Sequence, residues 1–540
     1  MAFSSAQMSI GGAAALPGQQ RSAPAKLRRP NIPMANEVAH LFARYRLANL
    51  KRQNPALVQQ EQMRRLVAKA KSTKFGRDHD FANIKSVKDF QARVPLRTYN
   101  QLWNDYWKAA FPVLTDVTWP GTLPYYAVSS GTSSGKVKYI PCSRQMVRAN
   151  KRSAVDIMVH HCANHPGSRV LDGKAFILGG STDLTEHAPG IKSGDISGIA
   201  ASETPVWGKP YHFPPPELAL AADWEQKMAR ILPRSLEEDI RMLSGAPGWL
   251  AVMFEKLAER YGTGEARIAD FYPNLELLVH GGVSFEPYRK RFESLLEGSK
   301  AQLREVYAAS EGFIAVADRG PGEGMRLNLD NGIFFEFVPV DELESENPTR
   351  LGVGEVEMGV DYAIVLTTCA GLWSYVIGDV VEFVDTNTPR ILIKGRTSYM
   401  LSGFGEHLTG ELVQNCLMKS AEEVGLTTGE FTVGTEFAKQ REALGRHVYV
   451  VEVDGPQPSA DRIATLAERI DDHLARANED YYERRIVPQG VQAPVVHAVP
   501  QGTFAGWLRS RGKYGGQHKV PRVASDFGII DELLTISRMH

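Results

Sequence analysis

The stretch Ser129-Ser130-Gly131-Thr132-Ser133-Ser134-Gly135-Lys136 has the composition of a phosphate cradle. Glycines let such a loop approach closely, and its backbone N–H groups and hydroxyls donate to anionic oxygens. It sits between two predicted strands, Tyr125–Val128 and Tyr139–Ile140. It is not a P-loop, because three residues rather than four separate the first glycine from Gly-Lys, and Val137 follows the lysine. Three more segments carry residue types suited to a nucleotide. Tyr307-Ala308-Ala309-Ser310-Glu311-Gly312 offers a ring that can stack on a base, small residues that admit close approach, and a carboxylate that can hold Mg²⁺. In Tyr375-Val376-Ile377-Gly378-Asp379, an acid after glycine can accept hydrogen bonds from both ribose hydroxyls. The run Lys513–Arg522 presents lysines behind a glycine-rich turn, where a compact cation can meet developing phosphate charge. Each segment, read alone, also suits a solvated loop, a strand end, a turn or a basic tail.

The elements that must position these residues follow from periodicity. From about Tyr125 to Thr368, short apolar runs alternate with amphipathic stretches, the pattern of an α/β fold. Strands are expected at Lys174–Leu178, Leu275–Val279 and Leu303–Tyr307, and a helix over Trp249–Tyr261 that stops at Gly262. Ser235 and Glu238 have capping-box spacing, which predicts a helix opening there. Upstream, Glu37–Phe75 reads as helical, with a basic surface from Arg44, Arg46, Lys51 and Arg52. The runs Ile333–Val340, Glu355–Thr368 and Tyr375–Val384 are dense in β-branched and aromatic residues and read as strands. A strand and a glycine-punctuated loop follow over Ile391–Gly405. A smaller α+β pattern comes next: helix His407–Val424, strands Phe431–Phe437 and His447–Val453, helix Ala460–Tyr482, strand Val495–Val499 and helix Phe527–Leu534. The expected organisation is a disordered tail over 1–36, a large α/β N-terminal domain with mixed sheets and several subdomains over 37–399, and a mobile α+β C-terminal cap over 400–540.

Composition narrows the function classes. Sixty-two basic residues balance sixty-two acidic ones, so no whole-molecule field favours nucleic acid or an anionic membrane. Four widely spaced cysteines argue for a reducing compartment, and the expected location is cytoplasmic. No apolar run is long enough to span a bilayer. Met1–Asn36 lacks acids and also lacks the apolar stretch of a secretory signal, although an organellar transit peptide is the competing reading. His160, His161, Cys162 and His165 crowd together at no recognised zinc spacing, and are read as surface or helix-end residues. Met146, Val147, Ile157 and Met158 suit either an acyl pocket or the core.

Taken together and in order, the four segments resemble the Gretchen Hagen family of auxin-responsive acyl acid–amido synthetases, a branch of the acyl- and aryl-adenylating enzymes. The resemblance runs from about Tyr125 to Arg522. It includes the Ser-Ser-Gly-Thr-Ser loop, Tyr-Ala-x-Ser-Glu, Phe334-Phe335-Glu336-Phe337-Val338-Pro339, Tyr-x-x-Gly-Asp and Gln517-x-Lys519-x-Pro521-Arg522. It implies ATP-dependent adenylation of a carboxylic acid, then transfer of the acyl group to an amino acid amine. A thioester-forming acyl-CoA ligase that shares the first step is the alternative. It also implies roles for residues. Ser129, Ser130, Gly131, Thr132 and Ser133 would bind phosphates, and Gly281, Gly282, Val283 and Ser284 would lie along the adenosine. Tyr307, Ala308, Ala309 and Ser310 would sit near the base, with Phe334 beside it and Glu311 on Mg²⁺. Asp379 would hold the ribose, Lys394 and Arg396 would open the hinge, and Lys519 would stabilise charge at the α-phosphate. The expected partners are a small acid and an amino acid, with no nucleic acid and no membrane, acting on a monomer. Gly312 and Gly-Gly-Val-Ser depart from the plant pattern, and the loop Thr397–Glu406 matches loosely; a bacterial or distant member is implied.

Overall fold

The computed structural model describes residues 34–538 apart from 131–136, 180–182, 205, 216–217, 219–223, 263–266, 283–284, 286–287, 344, 397–400, 402–407, 438–444, 479–480, 483–484, 486–490, 512–519 and 525–526. The expected tail over 1–36 therefore lies almost wholly outside the described residues.

An eleven-stranded sheet organises the larger part of the chain. One half is parallel, in the order His212–Phe213, Lys174–Leu178, Ile240–Gly245, Leu277–Gly281 and Gln302–Ala309. The other half is antiparallel and continues through Gly312–Val316, Met325–Leu327, Arg390–Arg396, Tyr375–Asp385, Asp361–Thr368 and Ile333–Pro339. Parallel strands need crossover helices, and those helices bury the core built on Phe176, Leu243, Leu250, Phe254, Leu278 and Phe292. A second core lies between the antiparallel half and the N-terminal helices. There Trp373 packs among Phe75, Phe81, Phe90 and Trp119.

The predicted helical stretch Glu37–Phe75 is three helices, Ala35–Lys51, Pro55–Ala70 and Lys74–Asp78. The break falls at Asn54-Pro55, where the asparagine side chain caps the Leu57 N–H and proline takes the first helical position. Arg46 is not part of a basic surface, because it turns inward to Asp156 at 2.8 Å and Asp330 at 2.7 Å. Ser235 ends a helix, Trp224–Ser235, instead of opening one. Its hydroxyl returns to the Leu232 carbonyl, and Glu238 pairs with Lys174. The capping-box spacing was met, but no amphipathic run follows it before the strand at Ile240.

The C-terminal part has its own three-stranded sheet, ordered Thr428–Phe437, Gly445–Val453, Val495–Pro500. The middle strand alternates: Tyr449 and Val451 face one core with helices Gly410–Glu423 and Ala460–Ala477. Val448 and Val450 face another with helices Thr503–Ser510 and Gly528–Ser537. Among the described residues, no helix is long and apolar enough to cross a membrane.

Candidate nucleotide and acyl-transfer site

The strand Gln302–Ala309 joins the two halves of the large sheet, parallel to Leu277–Gly281 on one side and antiparallel to Gly312–Val316 on the other. Ligands of open α/β sheets gather at the carboxyl ends of parallel strands. At that end lie the Gly281-Gly282 turn and Tyr307-Ala308-Ala309, followed by a two-residue turn, Ser310-Glu311. A Cβ on Gly281 would lie 2.2 Å from the Val306 carbonyl oxygen, so only glycine lets this strand end sit so close to its neighbour.

Asp379 and Tyr375 reach this place from a strand that is four steps away in the sheet order. In a flat sheet, four steps of about 4.8 Å would hold the two strands roughly 19 Å apart. Instead the Tyr307 hydroxyl donates to the Asp379 carboxylate, and the Tyr375 hydroxyl donates to Glu311 at 3.2 Å. The antiparallel half must therefore curl back on itself. A bulge sets the aim of Asp379: the register slips between Ala363 and Val365, and Gly378 takes φ +91, a conformation open to glycine at no steric cost. Glu311 is buried at the hairpin tip.

Sequence reasoning missed what holds Tyr375 in place. Ser374 stands at φ +42, strained for a residue with a side chain. Thr367 accepts its N–H at 2.9 Å, and its hydroxyl donates to the buried Glu336 at 3.0 Å. Arg350 donates to both Ser374 and Glu336, each at under 3 Å. No local signal joins residues so far apart; only the tertiary contact does.

The other expected site residues divide clearly. Ser129 and Ser130 close the strand Tyr125–Ser130, where they pair with Lys138 and Val137 of the antiparallel strand Val137–Cys142. Gly131, Thr132 and Ser133, as well as Val283, Ser284 and Lys519, lie outside the described residues. Phe334 is 2% exposed and packs edge-on against Phe90 at 5.8 Å in the core. Met146, Val147 and Ile157 are also core residues. Lys394 bridges Glu382 at 3.0 Å and Glu411 at 3.4 Å. Burial opposes its charge, but these carboxylates outweigh that and raise its pKa. The backbone of Arg396 pairs with Asp379. His160 and His161 are buried rather than on the surface, and burial lowers both to about 4, which keeps them neutral. Among the described residues, no group of three or more potential ligands could hold a metal.

A further contact between the large sheet's side of the chain and the C-terminal unit lies at the end of the Gln517–Arg522 run. Arg522 binds Glu430 at 2.6 Å and lies over the Phe431 ring, while the Tyr288 hydroxyl donates to the same carboxylate at 3.0 Å.

Three family profiles match in chain order: the "GH3 family N-terminal domain" over residues 46–261, the "GH3 family central domain" over 327–396 and the "GH3 family C-terminal domain" over 411–527. The chain belongs to the GH3 family. A curated GH3 relative, indole-3-acetic acid-amido synthetase GH3.3 of Arabidopsis thaliana, is 24% identical over 325 residues. That alignment takes in 57% of this chain and 53% of the relative, so the chain matches about half the relative's length. The solved structure of the GH3.15 acyl acid amido synthetase superposes with a TM-score of 0.75 at 18% identity, covering 95% of this chain and 97% of that one. A wider likeness, TM-score 0.57 at 15% identity, joins this GH3 fold to 2-hydroxyisobutyryl-CoA ligase in its postadenylation state, over 89% of this chain and 92% of that one.

Proposed function

We propose that this chain adenylates a carboxylic acid with ATP and passes the acyl group to an amino acid amine. The observation that carries the reading is the convergence of Glu311 and Asp379, each bonded by a tyrosine, at the carboxyl end of the parallel strands of a GH3-family chain. The substrate carboxylate oxygen attacks the α-phosphorus, the α–β bridging bond breaks, and pyrophosphate leaves. The amine nitrogen then attacks the acyl carbonyl, the bond to AMP breaks, and the amine proton passes to solvent.

In this reading Ser129–Ser133 cradles phosphates, and Gly281–Ser284 runs along the adenosine. Tyr307–Ser310 flanks the base, and Asp379 accepts from the ribose. Lys519 faces the α-phosphate as negative charge grows there. Mg²⁺ binds through phosphate oxygens, waters and only one or two carboxylates, so the single buried Glu311 is a sufficient protein ligand. When bound, the cation neutralises phosphate charge. Lys394 and Arg396 lead into a boundary near residue 400, beyond which the C-terminal unit forms a mobile cap. Four free, buried thiols suit a cytoplasmic enzyme, and balanced charge suits small-molecule partners without nucleic acid.

The test is pyrophosphate release across aromatic, aliphatic and keto acids, with each amino acid added in turn, and identification of the product. Acid-dependent release with an amide product supports the reading. A thioester with coenzyme A as the product would replace the second step, and the absence of any acid-dependent exchange would remove both steps. Lys519→Ala should lower exchange by about 3–4 kcal/mol in the barrier, two to three powers of ten in rate.

A further inference from the structure

The helix Ala35–Lys51 carries apolar residues on two sides. Its inward side packs Ala43 and Leu47 on Val159 and Cys162 and buries Leu50, while Asn36 bonds Asp172, His40 contacts the Ser168 carbonyl at 2.9 Å, and Arg46 binds Asp156 and Asp330. Its outward face is apolar. Met34, Val38, Leu41 and Tyr45 are 68%, 62%, 63% and 68% exposed, and Phe42 beside them is 46% exposed. Within the helix, spacings of three and four from Val38 through Leu41 to Tyr45 are those of a coiled-coil seam, with Val38 and Tyr45 at a positions and Leu41 at d, while Met34 precedes the helix in a left-handed conformation. Among the described residues nothing covers this stripe, and exposed apolar surface costs roughly 25 cal/mol per Å².

We propose that this stripe is the interface between two copies of the chain, packed as an antiparallel helix pair, in place of the monomer expected from the sequence. The flanking charges choose the arrangement. Glu37 and Arg44 both occupy g positions, and g faces g in an antiparallel pair, whereas g faces e in a parallel one. The e positions here hold Ala35, Phe42 and Asn49, so a parallel pair offers these charges no partner. The antiparallel register that sets Val38 against the partner's Leu41 brings Glu37 beside the partner's Arg44 twice across the two-fold axis. Sliding by one heptad would place Arg44 against itself. Glu37 is exposed at the edge of the seam and pairs with the equally exposed Arg169 at 3.3 Å. Val38, Leu41, Phe42 and Tyr45 together supply a continuous apolar contact toward the roughly 1,200 Å² at the lower end of specific interfaces.

Sedimentation velocity on the full chain between about 1 and 100 µM tests this. The expected result is a concentration-dependent dimer. Leu41→Asp should weaken it at least tenfold while leaving the melting temperature in place, because the residue touches solvent in the single chain. Glu37→Arg alone should weaken it severalfold by facing Arg44, and Glu37→Arg with Arg44→Glu should restore it. Restoration cannot come from a folding defect. A full chain that stays monomeric at 100 µM overturns the proposal, as does a dimer indifferent to Leu41→Asp or a charge swap that fails to rescue. A monomer that dimerises only after removal of residues 1–33 also overturns it, by assigning the stripe to the chain's own N-terminal segment.

Discussion

The Tyr288 hydroxyl donates to Glu430 at 3.0 Å, and Arg522 holds the other oxygen of that carboxylate at 2.6 Å. One acid thus ties the C-terminal unit both to itself and to the large sheet's helices. Burial, then the Glu430 charge, raises the Tyr288 pKa, so the phenol remains a donor throughout the working range. A hydrogen bond to a charged group is worth about 1.5–3 kcal/mol. Tyr288→Phe should therefore release this arrangement of the cap and leave each unit folded. Single-turnover kinetics should show unequal changes in adenylation and in amide formation from pre-formed adenylate. Equal losses in both would reduce the contact to general stability.

Glu311→Gln should raise the Mg²⁺ concentration needed for half-maximal pyrophosphate exchange, since an amide binds a hard cation more weakly than a carboxylate. Tyr375→Phe should have a smaller effect in the same titration, because it removes the donor and leaves the acid. An unchanged Mg²⁺ curve in Glu311→Gln would make the residue a structural hairpin-tip acid.

Asp379→Ala should weaken ATP binding by about 1.5–3 kcal/mol, and should erase most of the preference for ATP over deoxy-ATP. Tyr307→Phe, which keeps the ring and removes the hydroxyl bonded to Asp379, should retain that preference. Binding isotherms with both nucleotides decide the matter: equal discrimination in wild type and Asp379→Ala removes the ribose role.

Glu452 is buried, and its carboxylate accepts the Phe504 N–H at 2.8 Å at the start of helix Thr503–Ser510. Burial, with a contribution from the neighbouring Glu430 charge, raises its pKa to about 7. A carboxyl with a folded pKa above its unfolded one binds more protons when folded, so stability falls as pH climbs from about 4.5 to about 7 and stays low beyond. The C-terminal unit should be more stable at pH 5.5 than at pH 8, by up to roughly 2 kcal/mol. Glu452→Gln should flatten that slope in melting curves across the range. A slope of opposite sign, or one untouched by the substitution, would count against the assignment.

What the sequence determined by itself was whatever is local. Alternation and apolar runs placed Lys174–Leu178 at its observed bounds and the C-terminal strand–helix sequence to within a few residues, because side-chain period is set by backbone geometry. Residue type and order were enough to nominate Glu311, Asp379 and the Ser-Gly loop, because backbone approach and oxygen chemistry are properties of short segments. Local spacing misled at Ser235, where the residues of a cap are present but the chain turns into a strand. Only the tertiary structure decided which of the nominees meet. Glu311 finds Tyr375, and Asp379 finds Tyr307, through the curl of a sheet whose strand order no local pattern encodes. It also withdrew Phe334 into the core, turned Arg46 inward, and set Ser374 in its strained pose through Glu336 and Arg350. The physical reason is the same in each case. Burial and long-range hydrogen bonds depend on which surfaces come together, and that is fixed by the packing of distant elements, not by the residues on either side.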